Sequence, residues 1–441
     1  MDINKFIFQC KSWDDLYIKI SSESKQDKGD IFDRLTQLYL LCNPIYKQTL
    51  QNVWLLKDVP YKVKKILGLP DLDKGIDQIA RTFDGEYWAI QSKYRSDHEN
   101  ALTYRELSTF SALSFVHCKN ITLGLVSHAS TKPIRNRKLL GNVVEVGLNH
   151  WLEISDELWN IIREKCYNKN IKLKPRSPLP HQKVTLKNIK QYFNDQAFGK
   201  GRVIMPCGTG KSLIAFWAAR DLKASSVVLA VPSLYLINQA LKDWMREISA
   251  LQDSYDILIV CSDRTTKKIE HDEFVDDSSE LGIEVTTDEK DITKFLVKKS
   301  SKKKIIFSTY QSGQRLINAS HKAKFTFDLT ILDEAHKTTG NIGKPFAALV
   351  AYKNYKTKKR IFLTATERVY RGDADNVLTM SNKKHYGDLI YQMSFKEAIN
   401  SKPSIITDYK IVTIGVSESR IKKLIEGNQY SFVVKDGTDE I

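Results

Sequence analysis

Two sets of residues in this 441-residue chain have types and spacings suited to work on phosphate esters. The first joins Met-Pro-Cys-Gly-Thr-Gly-Lys-Ser at 205–212 to the later run Leu332-Asp333-Glu334-Ala335-His336. A glycine-rich turn entering a helix aims successive backbone N–H groups at a phosphate. Gly208, Thr209 and Gly210 would form that turn, Lys211 would reach the β and γ phosphates, and Ser212 would face a magnesium ion. Asp333 would hold the same ion, and Glu334 would orient an attacking water. The second set is Asp77 followed by Gln91 and Lys93. A carboxylate and a side-chain oxygen on adjacent strands can share magnesium, and a nearby lysine can orient water and stabilise a pentavalent phosphate. Phosphodiester cleavage requires that arrangement.

The flanking sequence supplies elements to hold both sets. Gly201-Arg202-Val203-Ile204 reads as a strand leading into the phosphate turn, and Leu213 to Arg220 as an apolar, alanine-rich helix leaving it. Met205 stands where the strict phosphate-loop pattern has its first glycine, so the flanking strand and helix carry the assignment. Phe327 to Leu332 is an apolar run of strand length, which places Asp333 and Glu334 at the carboxyl edge of a sheet. In the amino-terminal half a hairpin turn at Asp84-Gly85 is followed by a strand from Glu86 to Lys93; Gln91 and Lys93, two apart, share one face of it. A helix from Tyr104 to Phe115 and a strand from Ile121 to Ser127 follow. Further strands at Ser226 to Val231, Asp256 to Cys261, Lys304 to Ser308, Leu329 to Leu332 and Arg360 to Leu363, with a helix from Leu234 to Ser249, predict a parallel, doubly wound sheet. Trp151 to Cys166 reads as one amphipathic helix, Asn43-Pro44-Ile45-Tyr46 as a helix stop and turn, and residues 263–285 as an acidic surface excursion.

With those residues in view, Asp333-Glu334-Ala335-His336 resembles the DEAH box of superfamily 2 helicases and translocases. Pro180-His181-Gln182 is similar to their adenine-contacting Q motif, Val231-Pro232-Ser233-Leu234 with Gln239 to motif Ia, Ser308 to Ser312 to motif Ib, and Leu363-Thr364-Ala365-Thr366 to motif III. The resemblance implies that Gln182 recognises adenine and that residues around Ser233 and Thr309 touch a nucleic-acid backbone. It also implies that Thr364 and Thr366 couple the ATP state to strand grip through His336. Members complete the ATP site with arginines in a Gln-x-x-Gly-Arg-x-x-Arg segment of a second RecA-like domain. No such segment occurs in these residues, so a truncated chain that binds ATP weakly and hydrolyses it slowly is expected. Residues 386–412 resemble the passage leading out of the first RecA-like domain.

The Asp77, Gln91 and Lys93 segment resembles the PD-(D/E)xK nuclease fold in its Mrr-like, glutamine-containing version. Lys28 to Asp33 then resembles the preceding helix that contributes one more acid to the metal, with Asp33 where members more often have glutamate. The order of the two units is similar to the amino-terminal part of type ISP restriction enzymes. That likeness implies ATP and Mg2+ as cofactors, double-stranded DNA as partner, and further domains or subunits supplying a second RecA-like domain, a methyltransferase and target recognition. A helicase or remodeller whose front domain only grips nucleic acid remains the alternative.

The expected layout is an α/β chain. A restriction-endonuclease-like αβ core at 1–166 precedes a linker at 167–180, and a RecA-like doubly wound ATPase domain follows at 181–400, with the start of a connection onward at 401–441. A net charge of +16 favours a polyanionic partner without choosing DNA over RNA. Basic runs from Lys294 to Lys304 and from Lys353 to Arg360 could each meet phosphates or solvent. No apolar stretch has the length of a membrane span, and the six cysteines lack zinc spacing, which reads as a cytoplasmic protein with reduced thiols. Cys207, inside the phosphate loop, reads as a small packing residue.

Overall fold

A computed structural model of the chain describes residues 1–70, 75–194, 199–262, 281–352, 354–370 and 377–407, with two short strands at Val433–Lys435 and Thr438–Glu440. The amino-terminal unit starts its core with helix α1, Lys25–Cys42. Ser24 caps it by accepting a hydrogen bond from Asp27 N at 3.1 Å, and Ile31, Phe32, Leu35, Leu38 and Tyr39 recur at the spacing that lines one helical face. It stops at Asn43, as the residue before a proline favours extended backbone. Strand β1 (Leu50–Leu55), helix α2 (Tyr61–Leu67), strands β2 (Gln78–Thr82) and β3 (Tyr87–Lys93), helix α3 (Tyr104–Ala112) and strands β4 (Ile121–His128) and β5 (Val143–Val146) follow. The strands form one sheet in the order β1-β2-β3-β4-β5, antiparallel through β3 and parallel beyond it. Alternation divides the sheet's side chains between two cores. Ile90, Leu123 and Leu125 pack with α1, whereas Ile79, Ala89 and Val126 pack with Val63, Leu107 and Phe110 from α2 and α3.

The region expected to be one helix from Trp151 to Cys166 is two, α4 (Leu148–Leu152) and α5 (Asp156–Lys165). Ser155 separates them by accepting from Leu158 N, and Asp156 and Glu157 occupy the first turn of α5, where carboxylates complement the helix dipole. The helix expected to reach Phe115 leaves α geometry after Ala112 in a single π turn, Leu113–His117. Beyond the Asn43 stop, Pro44–Lys47 is one helical turn, with the Asn43 side chain accepting from Ile45 N at 2.9 Å.

The carboxy-terminal unit opens with α6 (Pro180–Asn194) and continues β6 (Gly199–Ile204), α7 (Lys211–Asp221), β7 (Ser226–Val231), α8 (Leu234–Leu251), β8 (Tyr255–Val260), α9 (Glu289–Val297), β9 (Lys303–Thr309), α10 (Gly313–Lys322), β10 (Phe327–Leu332), β11 (Thr357–Thr364) and β12 (Asp388–Gln392). All seven strands are parallel, in the order β12-β6-β11-β10-β7-β9-β8. This is the doubly wound sheet expected from the alternating pattern, with apolar cores on both faces.

The two units are clasped along α8. Arg246 makes a forked pair with Glu157, with both N–O distances 3.0 Å, and Lys242 pairs with Glu153. Arg176, in the segment joining the units, pairs with Asp243. One expectation changes here and another gains detail. The excursion at 263–285 lies outside the described residues up to 280, but its end is not a surface feature: Leu281 is buried and Gly282 O accepts from the Tyr46 hydroxyl at 2.8 Å. Part of the basic run before β9 is engaged by the hairpin, where Lys298 pairs with Asp84 at 2.8 Å and Lys302 lies over the Phe83 ring, while Lys294, Lys299 and Lys303 are exposed.

Candidate functional site: a phosphate-loop cleft and a strand-edge carboxylate

The phosphate loop fills the step between β6 and α7. Gly208 and Gly210 have φ of 83° and 79°, a left-handed backbone that only glycine adopts without strain. A Cβ on Gly210 would also lie 2.4 Å from Gln182 Nε2. Gln182 donates to Thr209 O at 3.1 Å and His181 Nε2 lies 3.0 Å from the same oxygen, so the start of α6 braces the loop. His181 falls within the motif likened to the adenine-contacting one, but its bracing of the loop is not evident from sequence. Lys211 is buried, its Nζ 3.3 Å from the carbonyl oxygens of both Met205 and Pro206 and 3.8 Å from Glu334 Oε1. Two segments far apart in the chain thus meet because β6 and β10 flank β11.

Electrostatics in this cleft favour a cation. Burial pushes the Asp333 carboxyl up to about 6, the adjacent Glu334 charge adds to the rise, and Lys211 opposes it. Burial presses Glu334 upward too, but its hydrogen bond from His336 and the Lys211 charge outweigh it and hold that carboxyl below its ordinary range. Glu334 itself is left-handed, with φ 51°. Ser212 Oγ is buried with no hydrogen-bond partner, an orphan of the kind a bound cation satisfies. His336 Nδ1 lies 3.0 Å from Thr364 Oγ1 and 3.3 Å from Glu334 Oε2. Thr366 N donates to Thr364 Oγ1 at 3.3 Å, and Met205 N to Thr364 O at 2.9 Å, so the motif III segment touches both the acidic pair and the loop. Ser233 caps α8 and Thr309 ends β9 at the same carboxyl edge. The hydroxyl of Tyr310, another residue whose role sequence does not suggest, donates to Asp333 O. Cys207 is exposed, which corrects the packing role expected of it: the loop bulges away from the core at this position.

The second site lies at one edge of the five-stranded sheet. Asp77 N donates to Ile90 O at 2.9 Å, and one Asp77 carboxylate oxygen accepts from Ser92 N at 2.7 Å, which brings the carboxylate to the strand bearing Gln91 and Lys93. Gln91 is 2% exposed and its Oε1 has no hydrogen-bond partner; Lys93 is half-buried. A carbonyl oxygen left unpaired beside a carboxylate suits a hard divalent cation. Asp33 lies on α1, where its backbone oxygen accepts from the Gln78 side chain at 2.8 Å; α1 therefore packs beside the β2 residue next to Asp77. Among the described residues no group of three or more His, Cys, Asp or Glu could hold a metal, so this edge would have to use its amide oxygen.

A pair without a clear mark in the sequence extends the edge. His128, paired in register with Lys93, lies 3.1 Å from Glu145 on β5, and both are almost fully buried. Glu145 Oε2 also accepts from Ile134 N at 3.0 Å. The only signal is a lone acid within the apolar run Val143-Val144-Glu145-Val146. Among the described residues no helix is long and apolar enough to cross a membrane.

Comparison with known proteins gives two family matches: residues 176–369 match "Type III restriction enzyme, res subunit" and residues 41–136 match "Restriction endonuclease". No curated protein matches the chain. Among solved structures, the ATP-dependent type ISP restriction-modification enzyme LlaBIII bound to DNA aligns at 25% identity and a TM-score of 0.69, covering 88% of this chain and 25% of that one. A nuclease-deletion mutant of the type ISP enzyme LlaGI, in complex with a DNA substrate mimic, aligns at 25% identity and a TM-score of 0.40, covering 51% and 20%. The chain thus spans about a quarter of the length of LlaBIII. It joins a restriction endonuclease domain to a helicase domain of the type III res-subunit kind, in the fold of the matching part of a type ISP restriction-modification enzyme.

Proposed function

We propose that this chain carries the DNA-cleaving domain and the first half of the ATP-driven motor of a restriction enzyme acting on double-stranded DNA, with 1–166 as nuclease, 167–180 as linker, 181–400 as motor domain and 401–441 as the start of a connection to a second RecA-like domain. The observation that carries the reading is the convergence of Lys211 on Glu334, beside an Asp333 carboxyl pushed up to about 6 and an orphaned Ser212 hydroxyl. In the motor, Ser212 and Asp333 would hold magnesium, Lys211 with Gly208, Thr209 and Gly210 would bind the phosphates of ATP, and Gln182 would recognise adenine. Bound magnesium would neutralise charge developing on the transferred phosphoryl group. Glu334, kept ionised by His336 and Lys211, is suited to orient water; Thr364 and Thr366 relay the state of the site through His336. In the nuclease, Asp77 and Gln91, joined by Asp33 from α1, would hold the divalent ion, and Lys93 would stabilise the charged transition state.

The test is a pair of variants measured in the full chain. Lys211→Ala should weaken binding of a fluorescent ATP analogue by roughly 10²-fold, a loss of close to 3 kcal/mol, and leave magnesium-dependent cleavage of duplex DNA in place. Asp77→Ala should abolish that cleavage with nucleotide affinity unchanged. Parental protein that fails to cleave duplex DNA with magnesium, while binding it, would instead favour a front domain that only grips nucleic acid.

A further inference from the structure

Most basic side chains at the seam between the units are matched by carboxylates: Lys242 by Glu153, Arg246 by Glu157 and Lys298 by Asp84. The exposed lysines around α2 are not. Lys57, Lys62, Lys65 and Lys119 make no ion pair among the described residues, and Asp58 is the one carboxylate between Lys57 and Leu67. Helix stability does not account for them all. A cation is favoured near a helix carboxyl end, which suits Lys65, but Lys62 lies in the first turn, where it opposes the dipole.

Their placement relative to the Asp77 edge is set by backbone hydrogen bonds. Leu56 N donates to Asp77 O at 2.9 Å, so Lys57 follows directly from the residue bonded to the candidate metal ligand. At the other end of α2, Lys119 N donates to Leu67 O at 2.8 Å, just ahead of β4. Val63 and Leu67 anchor the helix on the same core face as Ala89, the face that Gln91 and Lys93 share. The lysines therefore form a track leading from the Asp77 edge along the flank of the nuclease unit. Tyr61, 78% exposed, stands among them with its hydroxyl free to donate. The 7 residues of α2 advance roughly 10 Å at about 1.5 Å each, close to three phosphates of one DNA strand at roughly 3.4 Å axial spacing.

We infer that the face formed by Lys57, Tyr61, Lys62, Lys65 and Lys119 binds the phosphate backbone of duplex DNA and guides it to the Asp77 edge. The inference rests on the nuclease reading above and adds the path of the substrate. Lysines on phosphates hold DNA without reading its sequence and release counterions, so they register in the salt dependence of binding.

Binding of a fluorescein-labelled duplex to the full chain, in EDTA and across a salt series, tests it. The variant Lys57→Gln/Lys62→Gln/Lys65→Gln should bind ~10-fold or more weakly at low salt, with a slope of log affinity against log salt shallower by roughly 0.9 for each phosphate no longer neutralised. The matching triple arginine variant should restore both values, and an unchanged thermal melt and circular-dichroism spectrum of the glutamine variant establish that it is folded. Parental affinity and slope in the glutamine variant would overturn the inference, as would failure of arginine to restore them or equal competition by polyglutamate, which would point to an acidic protein partner. Asp77→Ala separates the two claims: it should keep affinity and slope while losing cleavage. If lysine-dependent binding persists but the parental protein never cleaves, the nuclease reading alone fails; if the parental protein has no affinity for duplex, both fail.

Discussion

Under the proposed function the phosphate-loop cleft and the Asp77 edge would face the same problem, holding polyanionic substrates around a divalent cation, with opposite resources. The cleft concentrates charge: a buried lysine, two adjacent carboxylates and a histidine stand within hydrogen-bonding or ion-pairing reach of one another. Partial burial and the neighbouring Glu334 charge push the Asp333 carboxyl up to about 6. Next to Lys93 the edge sets one carboxylate tied to a backbone N–H beside a neutral amide oxygen left unpaired, and its second carboxylate, Glu145, is taken up by His128. A charge-rich cleft costs stability until its cation arrives, because each buried charge must be desolvated. An amide ligand avoids that cost but contributes less to metal affinity. The cleft therefore carries the larger desolvation cost of the two.

The largest effect should come from Glu334→Gln, which keeps the shape of the cleft and removes the charge proposed to orient water. ATP turnover should fall by roughly 10²-fold or more, while affinity for the ATP analogue and DNA cleavage stay at parental levels. Turnover unchanged in a single-turnover assay would remove Glu334 from the chemistry.

Asp333→Asn addresses the cost of charge directly. The Asp333 carboxyl is raised from its ordinary 3.8 to about 6, so the folded state holds its proton more tightly than the unfolded chain does. Its contribution therefore declines as pH rises from about 4 through 6 and remains unfavourable above that. Without nucleotide, the asparagine variant should be more stable at pH 7.5 by on the order of 3 kcal/mol, from about 1.4 kcal/mol per pKa unit. The gain should shrink as pH is lowered toward 4, as read by thermal melting. A gain independent of pH would assign the effect to packing.

Gln91→Glu makes the edge resemble the cleft. Without metal the variant should melt lower than the parent, because it buries another carboxylate, and added magnesium should stabilise it by roughly 1–2 kcal/mol more than it stabilises the parent. Equal responses to magnesium would show that the Gln91 side chain does not touch the ion. The smallest effect uses Cys207, the one exposed cysteine of the six. Saturating ATP with magnesium should slow its alkylation by a maleimide several-fold, and an unaltered rate would mean that nucleotide does not cover the loop.

Legibility differs between the two sites for a reason that appears residue by residue. Phe327–Leu332 and Ser226–Val231 match their expected bounds because buried parallel strands are short, continuous apolar runs. The loop at 205–212 is legible because its glycines, lysine and serine act from consecutive positions on one turn. Ser155, by contrast, splits a helix that apolar periodicity runs together, since a cap is one residue and leaves the pattern intact. Sequence leaves the lysines at 298 and 302 open to phosphate or solvent, and the partners they meet, Asp84 and Phe83, lie in the hairpin of another sheet. His128 and Glu145 leave almost no local mark, because each is a single polar residue whose partner is on a neighbouring strand.

Sequence alone determined the kinds of the two units, the parallel sheet and the order of the units, because those follow from side-chain type and from periodicities set by short-range backbone geometry. Only the tertiary structure decided which charges meet. Whether a lysine faces a phosphate or an aspartate, how far the carboxyl at position 333 is pushed up and whether the amide oxygen of Gln91 goes unpaired depend on what packs across from each group, and burial and Coulomb energy vary over a few ångströms that no spacing along the chain records.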